Sequence, residues 1–379
     1  MVIESTLYQP LYNLQTTCLK RRIPFVSFRL PIETEITTLV QYQSFPQKIS
    51  SLDEIGENSG FVISPFFENE KHGTYFLKPD VIALSTEIQA SLISMLRSNS
   101  NFLTSKTSNI NNLNSTSKRD FKNQVNSAVK RINTGKFQKV VLSKIRIIKS
   151  SDEFNTSAFF LKLCQKYPHA FVYLIQIPEV GCWLGATPEP LLKTEHESLK
   201  TVSLAGTQIA TGAAVETYRW SAKEIEEQRI VTDFVEQTLR SSGISKVHKT
   251  GPKNYQAANL IHLKTTFEFS KNDTNSRLSA LLKALHPTPS VGGLPKSDAL
   301  NFILKNEKHD RSYYSGFLGP IQINKETNIF VNLRCLQLID NHFVIYSGAG
   351  ITNSSVAENE WEETENKMMT MTNVINSIE

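Results

Sequence analysis

FQKVVLSKIRIIKS, residues 137–150, is a run of aliphatic and β-branched residues long enough for a full strand. Alternate side chains of a strand share a face, so Lys139 is expected to point with Phe137, Val141, Ile145 and Ile147. A lysine among apolar neighbours has two outcomes. At the start of a strand it can snorkel to solvent, which this stretch alone favours. If held inside, desolvation disfavours its ammonium form and makes it a usable base near neutral pH. A second region predicts how the strand is paired. NIFVNLRCLQLI (328–339), Asp340-Asn341 and HFVIYSG (342–348) form a strand, a turn and a strand. Such hairpin-like pairs, among irregularly alternating strands and helices, favour antiparallel sheet over a doubly wound fold.

Upstream, residues 1–97 carry short strand-like runs (FVSFRL, FVISPFF, VIALS) and no cluster that suggests chemistry. Residues 98–118 are dominated by Ser, Asn and Thr and predict an exposed connection. A helix follows over Asp120–Asn133, and the motif-bearing part occupies 120–379. The 379 residues are long enough for one large domain or two ordinary ones, and length alone does not choose. Length and an apolar content of 40% are those of an ordinary globular chain with a sizeable core. The net charge of +5 is modest and its Lys and Arg residues are scattered, which argues against nucleic-acid binding. Cys18, Cys164, Cys182 and Cys335 have no metal-binding spacing and are expected to be reduced thiols. No signal-peptide pattern or membrane-length apolar run is found, so no membrane association and a cytoplasmic location are expected.

Two helices carry paired carboxylates. In TYRWSAKEIEEQRIVTDFVEQTLRSSG, Ser221 and Glu224 make a capping box, and Glu224, Glu227, Val231, Phe234 and Val235 share a face. The bland reading gives Glu224 to capping and leaves Glu227 at the edge of the buried stripe. In ENEWEETENKMMTMTNVI, Glu360 and Glu363 are three apart, and Lys367 is placed for a surface ion pair with Glu363. Trp361, Thr364, Met368, Met371 and Ile375 make its buried seam. Together the two helices can supply the hard oxygen ligands that magnesium takes. Arg334 is expected in a strand beside Phe330, Leu336 and Leu338, where an unpaired guanidinium needs an anion: a buried acid or a substrate carboxylate. Gly348-Ala349-Gly350 is read as a short turn whose amides could form an anion nest, although a lone GxG is more often just a turn.

KVVLSK (139–144), GATPEPLL (185–192), LAGT (204–207), KEIEEQRIV (223–231), HPTPSVGG (286–293), DRSYYSGFLGP (310–320), VNLRC (331–335), YSGAGI (346–351) and ENEWEETENK (358–367) resemble, in order, the chorismate-utilising enzymes. The resemblance covers residues from about 120 onward. It implies that residues 1–379 form a single catalytic α+β domain of two lobes, with large antiparallel sheets facing each other and helices packed outside. It also implies chorismate as the substrate, Mg2+ as the cofactor, and a monomer or weak homodimer. The water-activating base falls on Lys139 and the acid that protonates the departing hydroxyl on Glu189. The magnesium ligands fall on Glu227 and Glu363, with Glu224 and Glu360 in support. Substrate contacts fall on Tyr314, Arg334, Gly348, Ala349 and Gly350, with Thr207 and His262 nearby.

Ammonia-using relatives resemble this chain elsewhere but have glutamine at the place of Lys139, and aminodeoxychorismate synthases have a nucleophilic lysine where Ala205 stands. The best match is therefore to isochorismate synthases, in which water adds at C2 of the ring as the C4 hydroxyl leaves. Salicylate synthases, which go on to eliminate pyruvate, are the runner-up. A non-catalytic metabolite-binding relative would have lost Lys139, Glu189, Glu227 or Glu363, and none is lost. Two departures stand out. Gln228 follows Glu227 where isochorismate synthases usually have histidine, and Pro190 follows Glu189 where leucine is common. The first touches the surroundings of the metal rather than its ligand.

Overall fold

A computed structural model describes residues 8–98, 110, 113–151, 154–257, 260–274 and 278–378. Most of the Ser/Asn-rich connection, residues 99–109 and 111–112, lies outside the described residues. The described strands form two antiparallel sheets of nine. In the first the order is Gly293–Leu294, Lys139–Lys149, His342–Ile351, Cys335–Ile339, Gly181–Thr187, Phe171–Ile177, Phe25–Arg29, Thr37–Val40 and Val81–Leu84. In the second it is His248–Ala257, Leu260–Ser270, Ser198–Ile209, Pro190–Glu195, Asn328–Val331, Phe317–Ile321, Gly60–Ser64, Thr74–Leu77 and Gln47–Ile49. Strands from the first 97 residues thus extend one edge of each sheet.

Burial explains the layering. Val26, Phe28, Phe171, Tyr173 and Trp183 of the first sheet pack on Phe61, Leu318 and Phe330 of the second, filling the space between them. The outer face of the first sheet is covered by the helices Gln9–Arg21, Thr156–Lys166 and Ala357–Ile375 through Leu11, Leu14, Phe159, Phe160, Met368 and Met371. The outer face of the second is covered by Ala222–Ser241 and Leu278–Leu285 through Val235, Leu239, Leu281 and Leu282. Each helix spends its apolar stripe on a sheet, as a half-buried helix must. The expected α+β architecture of facing antiparallel sheets with helices outside is the one found.

One expected strand is two. NIFVNLRCLQLI does not run straight: Asn328–Val331 belongs to the second sheet and Cys335–Ile339 to the first. Arg334 lies at the crossing with φ +49°, which no extended strand residue adopts. The chain makes the same move at Pro188-Glu189, between Gly181–Thr187 and Pro190–Glu195. The two crossings are bonded to each other: the Arg334 carbonyl accepts the Ala186 N–H at 3.0 Å, and the Glu189 carbonyl accepts the Val331 N–H at 2.9 Å.

Candidate active site

The strand that carries Lys139 and its partner build one wall. Lys139–Lys149 pairs with His342–Ile351 over ten residues, setting Val141 opposite Gly350 and Ser143 opposite Gly348. Gly348-Ala349-Gly350 is therefore the interior of a strand and not a turn, which corrects the nest expected there. The reason for glycine is steric. A Cβ on Gly350 would lie 2.2 Å from Glu227 Oε1 and 3.0 Å from Lys139 Cε, and one on Gly348 would lie 3.0 Å from the Tyr314 hydroxyl oxygen. Ala349 points the other way, into the core with Val140 and Leu142.

Lys139 is fully buried, so the snorkelling alternative fails. Its Nζ lies 2.9 Å from Glu227 Oε1 and makes no aligned hydrogen bond. Val141 shares its face as expected, but Phe137 precedes the strand and packs instead with Val140, Leu142 and Phe302, because the alternation starts only at Lys139.

The opposite wall comes from the two crossings. Glu189 is 4% exposed, and burial pushes its carboxyl up to about 7 against the opposing charges of Lys139 and Lys367. Arg334 donates toward Thr370 Oγ1 at 3.5 Å and faces His262 Nε2 at 3.4 Å; neither is an anion. Its enclosure pulls the guanidinium down to about 10. Since Arg334 is not on a strand, Phe330, Leu336 and Leu338 are not its face-mates, but its need for an anion persists. Burial, with Arg334 adding to it, holds His262 down to about 3, so the ring is neutral. Its Nδ1 lies 2.7 Å from the Gly206 carbonyl, which assigns the proton to Nδ1 and leaves Nε2 as an acceptor toward Arg334. Gly206 has φ +69°, and an added Cβ there would press on Trp220 and Glu224, so this carbonyl is aimed by a conformation that suits glycine.

Of the four helical glutamates expected at the metal, three have a lysine. Glu360 pairs with Lys223 at 2.6 Å, Glu363 with Lys367 at 2.6 Å, and Glu227 with Lys139. Glu224 accepts the Ser221 N–H at 2.9 Å, closing the helix start as the capping box requires. Lys367 also donates to the Gly348 carbonyl at 3.0 Å and lines the cavity, so its pair with Glu363 faces the cavity rather than open surface. Burial and the neighbouring Glu363 push Glu360 up to about 7, while Lys367 and Lys223 outweigh burial and hold Glu363 below the usual carboxylate range. Burial opposes the charge on Lys223, but Glu360, Glu363 and Glu227 together raise it. Glu360 Oε2 is buried without a hydrogen-bond partner. Among the described residues, no three acidic, histidine or cysteine side chains converge closely enough to hold a cation as they stand.

A profile of the chorismate binding enzymes matches residues 50–376. The chain belongs to that family. Isochorismate synthase EntC of Escherichia coli K12 is 30% identical over 248 residues, covering 64% of this chain and 63% of that protein. Isochorismate synthase DhbC of Bacillus subtilis is 28% identical over 264 residues, 66% of each. The chain thus aligns with less than two thirds of the length of these curated relatives. In fold it is similar to MenF, the menaquinone-specific isochorismate synthase of Escherichia coli, with a TM-score of 0.77 at 19% identity, covering 98% of this chain and 92% of that one. DhbC from Bacillus anthracis gives 0.76 at 22% identity, covering 96% and 99%.

Within the chorismate-binding fold of this chain, one cavity is lined by Glu189, Thr207, Glu227, His262, Tyr314, Arg334, Gly348 and Gly350. Glu224, Glu360 and Glu363 line the adjoining mouth between the two helices. Lys139 sits behind Gly350 and Glu227, and Ala349 points away. Sequence reasoning missed Ser290, Tyr346 and a site role for Lys367 and Lys223. Ser290 lies in the quoted HPTPSVGG run and donates to the Leu204 carbonyl at 2.9 Å. Lys367 was visible only as a partner for Glu363, and Lys223 only as the first residue of the KEIEEQRIV run.

Proposed function

We propose that this chain is an isochorismate synthase that uses magnesium to isomerise chorismate. The observation that carries the reading is a buried carboxyl, Glu189, raised to about 7 and lining one cavity with Arg334, a cation that lacks an anion, while buried Lys139 sits behind Gly350 and Glu227 of the same cavity wall. The chemistry asks for those three parts: an acid on one side of the ring, a base on the other, and a grip on a carboxylate. Lys139 takes a proton from water as it attacks C2. Glu189 gives a proton to the C4 hydroxyl as that leaves and the double bonds shift. Arg334, with neutral His262 behind it, holds a substrate carboxylate, and Tyr314 presents its hydroxyl beside Gly348.

Glu227 and Glu363 would hold the cation, with Glu360 and Glu224 in support, once their lysines yield them. The hard oxygen donors and the partnerless Glu360 Oε2 suit it. When bound, magnesium supplies positive charge for a ring carboxylate. A cytoplasmic setting fits a chain in which no described helix is long and apolar enough to cross a membrane. The test is incubation with chorismate, with magnesium or with EDTA, and separation of the products. Isochorismate formed only with magnesium is expected. Salicylate and pyruvate in equal amounts would move the assignment to salicylate synthase, and unchanged turnover in EDTA would remove the metal.

A further inference from the structure

The strand that carries Lys139 has one complete edge and one that is finished by side chains. His342–Ile351 covers the first. On the other, Gly293–Leu294 pairs only with Val140 and Lys139. An edge left open inside a protein strands its backbone donors and acceptors, which is costly. Here the Gly292 carbonyl accepts the Val141 N–H at 2.7 Å, and then an ion pair takes over. Arg311 Nη2 donates to the Val141 carbonyl at 2.7 Å, and Glu307 Oε1 accepts the Ser143 N–H at 2.6 Å. The Ser143 hydroxyl lies 3.0 Å from Glu307 Oε2 and 2.9 Å from His309 Nε2.

Arg311 and Glu307 grip each other with two bonds, Nη2 to Oε1 at 2.6 Å and Nε to Oε2 at 2.8 Å, and both side chains are at most 3% exposed. The remaining nitrogen, Nη1, donates to the Val291 carbonyl at 2.8 Å, in the segment that brings Ser290 and Val291 to the cavity. Stability alone does not account for such a pair, since apolar residues of similar volume often serve as well in a core. What the pair uniquely provides is a set of directed bonds to two backbone segments that line the site.

We propose that Glu307 and Arg311 are positioning residues: their ion pair stands in for a missing strand beside Val141 and Ser143, and locks the strand bearing Lys139 to the Ser290–Val291 segment. The inference rests on the reading of Lys139 as the base. Its lever is register: a shift of about 1 Å far from the reacting atoms can cost on the order of 10²-fold in rate.

The test uses the full chain with Glu307→Leu and Arg311→Met together, a pair that keeps volume and leaves no lone buried charge, beside Glu307→Gln alone. Four quantities are read: melting temperature, amide hydrogen exchange of the peptide spanning residues 139–143, and kcat and KM for chorismate. In the double variant the expected result is cooperative melting close to wild type, exchange at Ser143 faster by ~10-fold or more, and kcat lower by about 10–10²-fold with KM within about threefold. Glu307→Gln, which keeps the backbone acceptor, should fall between the two. Unchanged exchange, or faster exchange with unchanged kcat, overturns the proposal, as does a loss of kcat and KM that simply follows the melting temperature. A wild type that does not turn over chorismate defeats the reading of the reaction, while exchange still decides whether the ion pair finishes the edge.

Discussion

Lys139 projects from a strand that stays in register with its neighbour for ten residues, whereas Glu189 and Arg334 sit on crossings where the chain leaves one sheet for the other. The ladder, which ends at Val140, and the pairing of Lys139 with Leu294 fix the direction of Lys139 through the backbone, and Gly350 on the facing strand makes room for it and for Glu227. The crossings work differently. Each interrupts a strand, turns a polar side chain inward and ties its carbonyl to the other crossing. A regular strand thus holds buried Lys139 in place, while Glu189, raised toward neutrality, is carried by irregular backbone at the seam. Deep burial does the tuning at Glu189: a carboxyl ordinarily near 4.5 is carried to about 7.

The sharpest way to break this comparison is on the ladder side. Lys139→Ala should lower kcat by ~10²–10⁴-fold, the range of a general base, while chorismate still binds. Retained turnover would show that the ladder positions no base. On the crossing side, Glu189→Gln should cost about 10²-fold at neutral pH. Wild-type turnover should fall as pH rises through about 7, because the acid is competent only while protonated. That limb should vanish in the glutamine variant. Stability carries the same sign. With its folded value raised, protonated Glu189 stabilises the fold below about 4.5, and this contribution is lost as pH climbs to about 7. Melting temperature should therefore fall less steeply across that window in Glu189→Gln than in wild type.

Arg334→Lys should lower kcat/KM by roughly 10-fold, since an ammonium cannot reproduce the guanidinium fork. An unchanged ratio would show that Arg334 meets no substrate carboxylate. Gly350→Ala probes the ladder's clearance and should cost about 1–3 kcal/mol of stability, because its Cβ would press on Glu227 and Lys139. Unaltered melting would mean that the wall has slack.

The same contrast decides what could be read from the sequence. Lys139 and Val141 on one face, the capped Ala222–Ser241 helix and the seam of Met368 and Met371 were legible, because strand and helix periods write them directly. The crossing at Arg334 was not. Val331, Leu333 and Cys335 keep an alternating apolar rhythm through it, so nothing in the pattern marks the change of sheet. Gly348 and Gly350 misled for the opposite reason. Glycine reads as a turn, and only the facing side chains of Tyr314, Glu227 and Lys139 show that it serves close approach within a strand. The place of Glu189 in the cavity came from the resemblance to the chorismate-utilising enzymes, and its burial only from the fold.

The central claim is that water, activated on the Lys139 side, becomes the new hydroxyl while Glu189 releases the old one. Turnover of chorismate in 18O-labelled water with magnesium, followed by mass spectrometry of the product, tests it directly. The account predicts isochorismate carrying one 18O, located on the C2 hydroxyl. Isochorismate that retains only 16O would contradict it, since the hydroxyl would then have moved within the substrate and no base for water would be needed.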